Sequence, residues 1–121
     1  MTARLVALAL LVLASAASAA ADDRAVPILA YHRFGSTVAD SMTVRTATFE
    51  GHVRWLADHG HPVVPLRVLV DHRLGRGPAP PAGAVVITAD DGHRSVYTEL
   101  LPIVRRYGIP VTLFLYPSAI S

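Results

Sequence analysis

The sequence contains no cysteine and no lysine, and these two absences exclude several classes of protein. Without cysteine the chain forms no disulfide and offers no thiol for lipid attachment, so its stability must come from packing or from a bound metal. All eleven basic residues are arginine, and they are balanced by nine acidic residues without any basic cluster. This near-neutral balance argues against nucleic acid or an anionic membrane surface as a partner.

The chain also lacks an apolar run of the ~20 residues that a membrane span requires. Its N-terminal run covers residues 5–13, follows the basic Arg4 and is succeeded by alanine and serine over residues 14–21. This order is typical of a secretory signal peptide, and an uncleaved membrane anchor is the disfavoured alternative. We therefore expect a signal peptide over residues 1–21, a domain over residues 22–121 without a membrane span, and a secreted, periplasmic or extracellular location.

Predicted strands and helices alternate along residues 22–121. Thr46 or Thr48 is expected to cap the first helix, and Gly60 to end it. Pro102 lies within the third predicted helix, where its ring should kink or restart the helix. Such alternation indicates an α/β domain built of βα units around a parallel sheet. The strands are expected at residues 26–31, 63–64, 84–88 and 111–116, and the helices at residues 46–59, 66–74 and 95–107.

The most informative feature is a pair of aspartates just after the apolar strand predicted at residues 84–88. Like charges raise each other's pKa, so Asp90 and Asp91 are costly there unless something offsets them. Consecutive strand residues point to opposite faces, and both carboxylates can share one site only if the chain turns, for which Gly92 supplies the freedom. A divalent cation would resolve the charge conflict, with one carboxylate as ligand and the other as base. Taken without its surroundings, Asp-Asp-Gly could equally be a turn and capping device.

Residues 88–92, Thr-Ala-Asp-Asp-Gly, resemble the first signature of the polysaccharide deacetylases, the NodB-homology proteins of carbohydrate esterase family four. The family pattern is Thr-Phe-Asp-Asp-Gly, so Ala89 replaces an aromatic ring, and the smaller side chain is expected to loosen the placement of Asp90. The ordered resemblance covers nearly everything from residue 26 to residue 116 and is closest to the poly-N-acetylglucosamine deacetylase branch. Besides the signature, it rests on residues 27–34, 49–56, 59–66 and 101–114.

The resemblance implies a distorted (β/α) barrel whose site lies at the carboxyl ends of the strands. By position, Asp90 would be the general base and Asp91 a ligand of a divalent metal, with zinc as the expected ion. Gly92, His32 and His93 would line the site or contact the substrate. The family's two histidine ligands lie downstream of the strand that matches residues 111–116, so the metal site is expected to be incomplete. A full barrel has ~250 residues, and we therefore expect this chain to be a truncated N-terminal portion.

Two functions of different classes follow. The first is an exported, metal-dependent hydrolase that removes N-acetyl groups from N-acetylglucosamine-containing polysaccharide. The second is a non-catalytic truncated or split domain without the histidine ligands, which would bind glycan or depend on a partner such as a complementary C-terminal half. A downstream segment with paired histidines distinguishes them. A phosphate-handling hydrolase is disfavoured because no glycine-rich phosphate loop or basic clamp accompanies the aspartates.

Overall fold

The structure is a computed structural model and describes residues 25–119, so the signal peptide predicted at residues 1–21 lies outside the described residues. Three parallel strands form the main sheet in the order β1–β4–β5, and β2 and β3 form a separate parallel pair. The elements, in chain order, are β1 (Ile28–Tyr31), β2 (Arg33–Gly35), β3 (Thr43–Arg45), α1 (Thr46–Asp58), α2 (Leu66–Arg73), β4 (Val86–Asp90), a π-helical turn (Val96–Leu100), α3 (Leu101–Tyr107), β5 (Thr112–Phe114) and a 3-10 turn (Pro117–Ala119).

The predicted alternation of strands and helices is found in the described residues, with differences in detail. The small β2–β3 pair was not predicted. The strand expected at residues 63–64 is reduced to a single bridge between Val63 and Val85. The strand expected at residues 84–88 instead runs from Val86 to Asp90, so the first aspartate belongs to the strand. Within residues 25–119 no helix combines the length and hydrophobicity needed to cross a bilayer.

Helix α1 packs on the sheet through one apolar stripe. Phe49, Val53 and Leu56 are its buried residues, at the spacing that places side chains on one face of a helix. The predicted threonine cap is wrong, because Arg45 occupies the N-cap position and no side chain caps the helix. Thr46 lies inside the helix, and its hydroxyl instead donates to Glu99 Oε2 at 3.0 Å. The helix ends as predicted at Gly60, whose φ of 70° suits glycine.

The core lies between α1, the central strand β4 and the last helix. Residues 84–89 are all buried, as expected of a parallel strand covered on both faces. Three aromatic rings join the end of β1 to α1. Phe49 meets Tyr31 edge-on at 4.9 Å between centroids and meets Phe34 in the same manner at 5.2 Å. Such pairs prefer edge-to-face geometry, and they fix the chain on either side of His32.

Pro102 divides the last helical segment as predicted. The backbone is wound as a π-helix over Val96–Leu100 and continues as an α-helix from Leu101. Proline has no N–H to donate to the preceding turn, so an α-helical hydrogen bond would be missing at this point. The wider π winding lies directly before the proline, where that bond cannot form. Gly108 then ends the helix in the left-handed conformation, at φ 61°.

We expect Phe49→Ala to destabilise the protein by about 3–5 kcal/mol, because Phe49 is fully buried and its removal leaves a cavity beneath the aromatic cluster. Urea unfolding monitored by circular dichroism measures the change. The matched control is Trp55→Ala on the same helix, where the side chain is 52% exposed, and its cost should be about 1 kcal/mol or less. Equal costs for the two variants would contradict the position assigned to Phe49.

Candidate active site

The register between β1 and β4 brings His32 to Asp90. The paired residues run from Ile28 with Val86 to Tyr31 with Ala89, so the next residue of each strand lies at the same carboxyl edge of the sheet. His32 Nε2 is 3.8 Å from Asp90 Oδ2. This distance is too long for a hydrogen bond but is within the range of an ion pair if the imidazole is protonated. Tyr31 faces the other way, towards α1, and its hydroxyl hydrogen-bonds His52 Nδ1 at 2.9 Å.

The carboxylate of Asp90 has no hydrogen bond within residues 25–119. Its Oδ2 faces His32, whereas Oδ1 is buried and has no hydrogen-bond partner within residues 25–119. The side chain as a whole is 32% exposed, so it lies at the border between core and solvent. Buried polar atoms are almost always hydrogen-bonded in folded proteins. The unpaired oxygen of Asp90, at the end of a buried strand, can therefore accept a hydrogen bond from water or from a ligand.

Asp91 and Gly92 form the turn that the sequence predicts, but the turn begins one residue earlier than Gly92. Asp91 has φ 71° and Gly92 has φ 69°. Two successive residues in the left-handed region reverse the chain sharply, and for a non-glycine residue that region costs free energy. The Asp91 carboxylate has no hydrogen-bond partner in the part of the chain that the structure describes, so its strain is not offset by a local bond.

A second set of hydrogen bonds holds this turn from the helix side. The hydroxyl of Ser95, which is 7% exposed, accepts the backbone N–H of Phe34 at 3.0 Å. The same oxygen lies 2.8 Å from His93 Nδ1, and the Ser95 N–H donates to that nitrogen at 3.2 Å. His93, a predicted site residue, thus has one ring nitrogen engaged. Sequence patterns contain no signal for the role of Ser95, because its partner Phe34 is 61 positions away.

Arg33, which follows His32, is held by the loop after β2. Its guanidinium donates to Asp40 Oδ2 at 2.8 Å, and Thr43 donates to Oδ1 of the same carboxylate at 2.7 Å. These hydrogen bonds hold the pKa of Asp40 below its usual value, and the bond from Thr43 has the largest effect. Burial raises the pKa of the Tyr31 hydroxyl on the other side. His32 therefore lies between two anchored residues.

The described residues do not complete a metal shell. The orphaned oxygen of Asp90, together with Asp91 and His32, offers oxygen and nitrogen donors of the kind that zinc accepts. A catalytic zinc site, however, uses three protein ligands. Within residues 25–119 no group of three or more histidine, cysteine, aspartate or glutamate side chains is arranged to hold an ion.

The strain at Asp91 predicts an unusual response to mutation. Asp91→Gly should raise the free energy of unfolding by about 0.5–1 kcal/mol, because glycine adopts φ 71° without a steric penalty. Gly92→Ala is the matched control at the neighbouring left-handed position and should lower it by about 1–2 kcal/mol. Chemical denaturation of both variants measures the two changes. A loss of stability in Asp91→Gly would show that the carboxylate makes a stabilising contact in the folded protein.

Comparisons with known proteins agree with this geometry. The family model for polysaccharide deacetylase matches residues 77–121. The chain is 32% identical over 96 residues to YxkH of Bacillus subtilis, whose name places it among the polysaccharide deacetylases, and the match covers 79% of this chain and 33% of that protein. It is also 32% identical over 84 residues to the poly-beta-1,6-N-acetyl-D-glucosamine N-deacetylase of Escherichia coli, with 68% of this chain and 12% of that protein covered. The chain thus spans a third or less of the length of these curated relatives.

Solved structures share the fold. IcaB from Ammonifex degensii superimposes with a TM-score of 0.66 at 27% identity, over 74% of this chain and 37% of that one. A de-N-acetylase from Aggregatibacter actinomycetemcomitans gives a TM-score of 0.64 at 28% identity, over 73% and 36% of the two chains. The predicted α/β fold, a portion of a deacetylase barrel, is confirmed. The aspartate-bearing turn, the fold and the curated relatives agree: over the part that they cover, the chain is similar to the polysaccharide deacetylases.

Proposed function

We propose that this chain supplies the carboxylate part of the active site of an exported, metal-dependent polysaccharide deacetylase. Its substrate is a polysaccharide that contains N-acetylglucosamine. The observation that carries the proposal is the buried, unpartnered Oδ1 of Asp90 at the end of a strand covered on both faces. The substrate class is supported by the Escherichia coli relative, whose name specifies poly-beta-1,6-N-acetyl-D-glucosamine.

Asp90 is the general base in this proposal. Deacetylation requires water to add to the acetyl carbonyl carbon, the C–N bond to break, and a proton to reach the departing amine, so that acetate and a free amine form. The unpaired Oδ1 can accept the proton from the attacking water, and the protonated carboxyl group can return it to the nitrogen. His32, 3.8 Å from Oδ2, orients the carboxylate from its other side.

Metal dependence is proposed from the family and from the position of Asp91. The Asp91 carboxylate has no partner within residues 25–119, and its strained backbone is the kind of feature that clusters at functional sites. Because the described donors do not reach the three that a catalytic zinc needs, the remaining ligands must come from elsewhere. We infer that they come from a complementary segment, on this polypeptide or on a partner.

Zinc titration and a chimera test the proposal. Calorimetric titration of this chain alone should show no stoichiometric zinc site. A chimera in which residues 26–116 replace the matching segment of the Escherichia coli deacetylase should bind zinc and release acetate from N-acetylglucosamine oligomers. In the chimera, Asp90→Asn should lower kcat by about 10²–10⁴-fold with the zinc affinity unchanged, because it removes the base and keeps the shape. Asp91→Asn should lose both zinc and turnover.

Asp58→Asn is the control for the loss of one negative charge, since Asp58 is exposed at the end of α1. It should leave both readouts unchanged. Full turnover in Asp90→Asn would refute the role assigned to that residue. A folded chimera that binds zinc but releases no acetate would favour the non-catalytic function, in which the chain at most binds glycan.

Export is proposed from the N-terminal sequence. We expect the mature protein to begin between residues 20 and 25 and to be found outside the cytoplasm, as N-terminal sequencing of the exported protein would show. Leu8→Arg should block export because a charge interrupts the apolar run. Val38→Arg, at a position that is 58% exposed in the folded domain, is the matched control and should be exported normally. Soluble cytoplasmic protein that retains Met1 would contradict the proposal.

A further inference from the structure

We propose that Ser95 is a positioning residue for the active site: its hydroxyl ties the turn that carries Asp90 and Asp91 to the backbone of the segment that carries His32. The inference rests on the proposed function, since it concerns the same carboxylates. Ser95 touches neither aspartate in the described contacts. It acts through the two chain segments that present His32 and the aspartates to each other.

A tie of this kind is needed because the strand ladder stops short of the site. The β1–β4 pairs end at Tyr31 with Ala89. Beyond that level the segment after β1 leaves the main sheet to form β2, and the segment after β4 reverses direction at Asp91. The Phe34–Ser95 hydrogen bond closes across this divergence, two residues after His32 and five residues after Asp90. Because the Ser95 side chain and Phe34 are both buried, no water can substitute easily for the bond.

The donors and acceptors of this group can be assigned. The Phe34 N–H donates to the Ser95 oxygen, so the single hydroxyl proton remains for His93 Nδ1. The Ser95 N–H donates to the same nitrogen. A nitrogen that accepts from two donors carries no proton, so the neutral imidazole of His93 has its proton on Nε2. The hydroxyl is therefore satisfied as both acceptor and donor, and the orientation of the imidazole next to Gly92 is fixed with it.

A role in stability alone would look different from a positioning role, and the chain offers a matched comparison. The hydrogen bond from Thr46 to Glu99 also ties the π-helical turn to a distant element, at 3.0 Å, and it is partly buried. It reaches α1 instead of the segment after His32. Thr46→Val should therefore weaken the fold to a similar degree as Ser95→Ala while leaving the aspartate turn unchanged.

Nuclear magnetic resonance of the 15N-labelled full chain at pH 8 tests the inference without requiring turnover. In Ser95→Ala the amide of Phe34 should exchange about tenfold faster or more, since a buried donor loses its acceptor. The amide shifts of Asp90 and Asp91 should move, and the ring nitrogens of His93 should lose the single Nε2–H tautomer. Ser95→Thr, which keeps the hydroxyl, should restore all three signals, and Thr46→Val should leave them as in the parent protein.

His93→Ala gives an independent test if Ser95→Ala does not fold, because His93 is exposed. It should keep the Phe34 amide protected while moving the shifts of Asp91. Unchanged signals at both aspartates in Ser95→Ala, or equal changes in Thr46→Val, would overturn the inference. In the active chimera, Ser95→Ala should lower kcat without raising KM. Signals that behave as expected in an inactive chimera would refute the proposed function and leave the positioning role in place.

Discussion

The parallel pairing of β1 with β4 is the constraint on which the site depends. Because the register sets Tyr31 beside Ala89, the residues that follow, His32 and Asp90, lie at the same edge of the sheet and on the same level. Successive residues of a strand point to opposite faces, so Tyr31 joins the aromatic cluster on α1 while His32 faces the carboxylate. A slip of one residue would exchange these two roles, placing a phenol at the carboxylate and an imidazole in the core.

The two aspartates of the candidate site differ in their surroundings: Asp90 ends a buried strand, and Asp91 lies in a strained turn. β4 is buried over its first four residues and becomes partly accessible only at Asp90, so the carboxylate stands at the end of a buried strand. Immediately afterwards the backbone enters the left-handed region at Asp91. The end of the buried strand and the strained turn place the two carboxylates differently, and this separation lessens the repulsion between their like charges. In the function proposed for this chain, one carboxylate accepts a proton and the other coordinates the metal.

Local patterns predicted the parts of this fold that depend on neighbouring residues. The apolar run before the aspartates and the stripe of Phe49, Val53 and Leu56 follow from periodicity, and both ends of each element lie within two residues of the expected bounds. The family signature identified the aspartates. The β2–β3 pair was missed because strands of three residues carry too short a pattern to be recognised. The Ser95 bond was missed because its partner lies 61 positions away, so no local sequence window contains both residues.

The last strand leaves an apolar edge of the sheet exposed next to the candidate base. β5 is an edge strand, and residues Leu113, Phe114, Leu115 and Tyr116 are each about half exposed, between 49% and 52%. Edge strands of soluble proteins seldom present such a row of large apolar side chains unless another element covers it. Phe114 is paired with Asp90 in the register. An element that covered this edge would therefore lie one strand away from the candidate base.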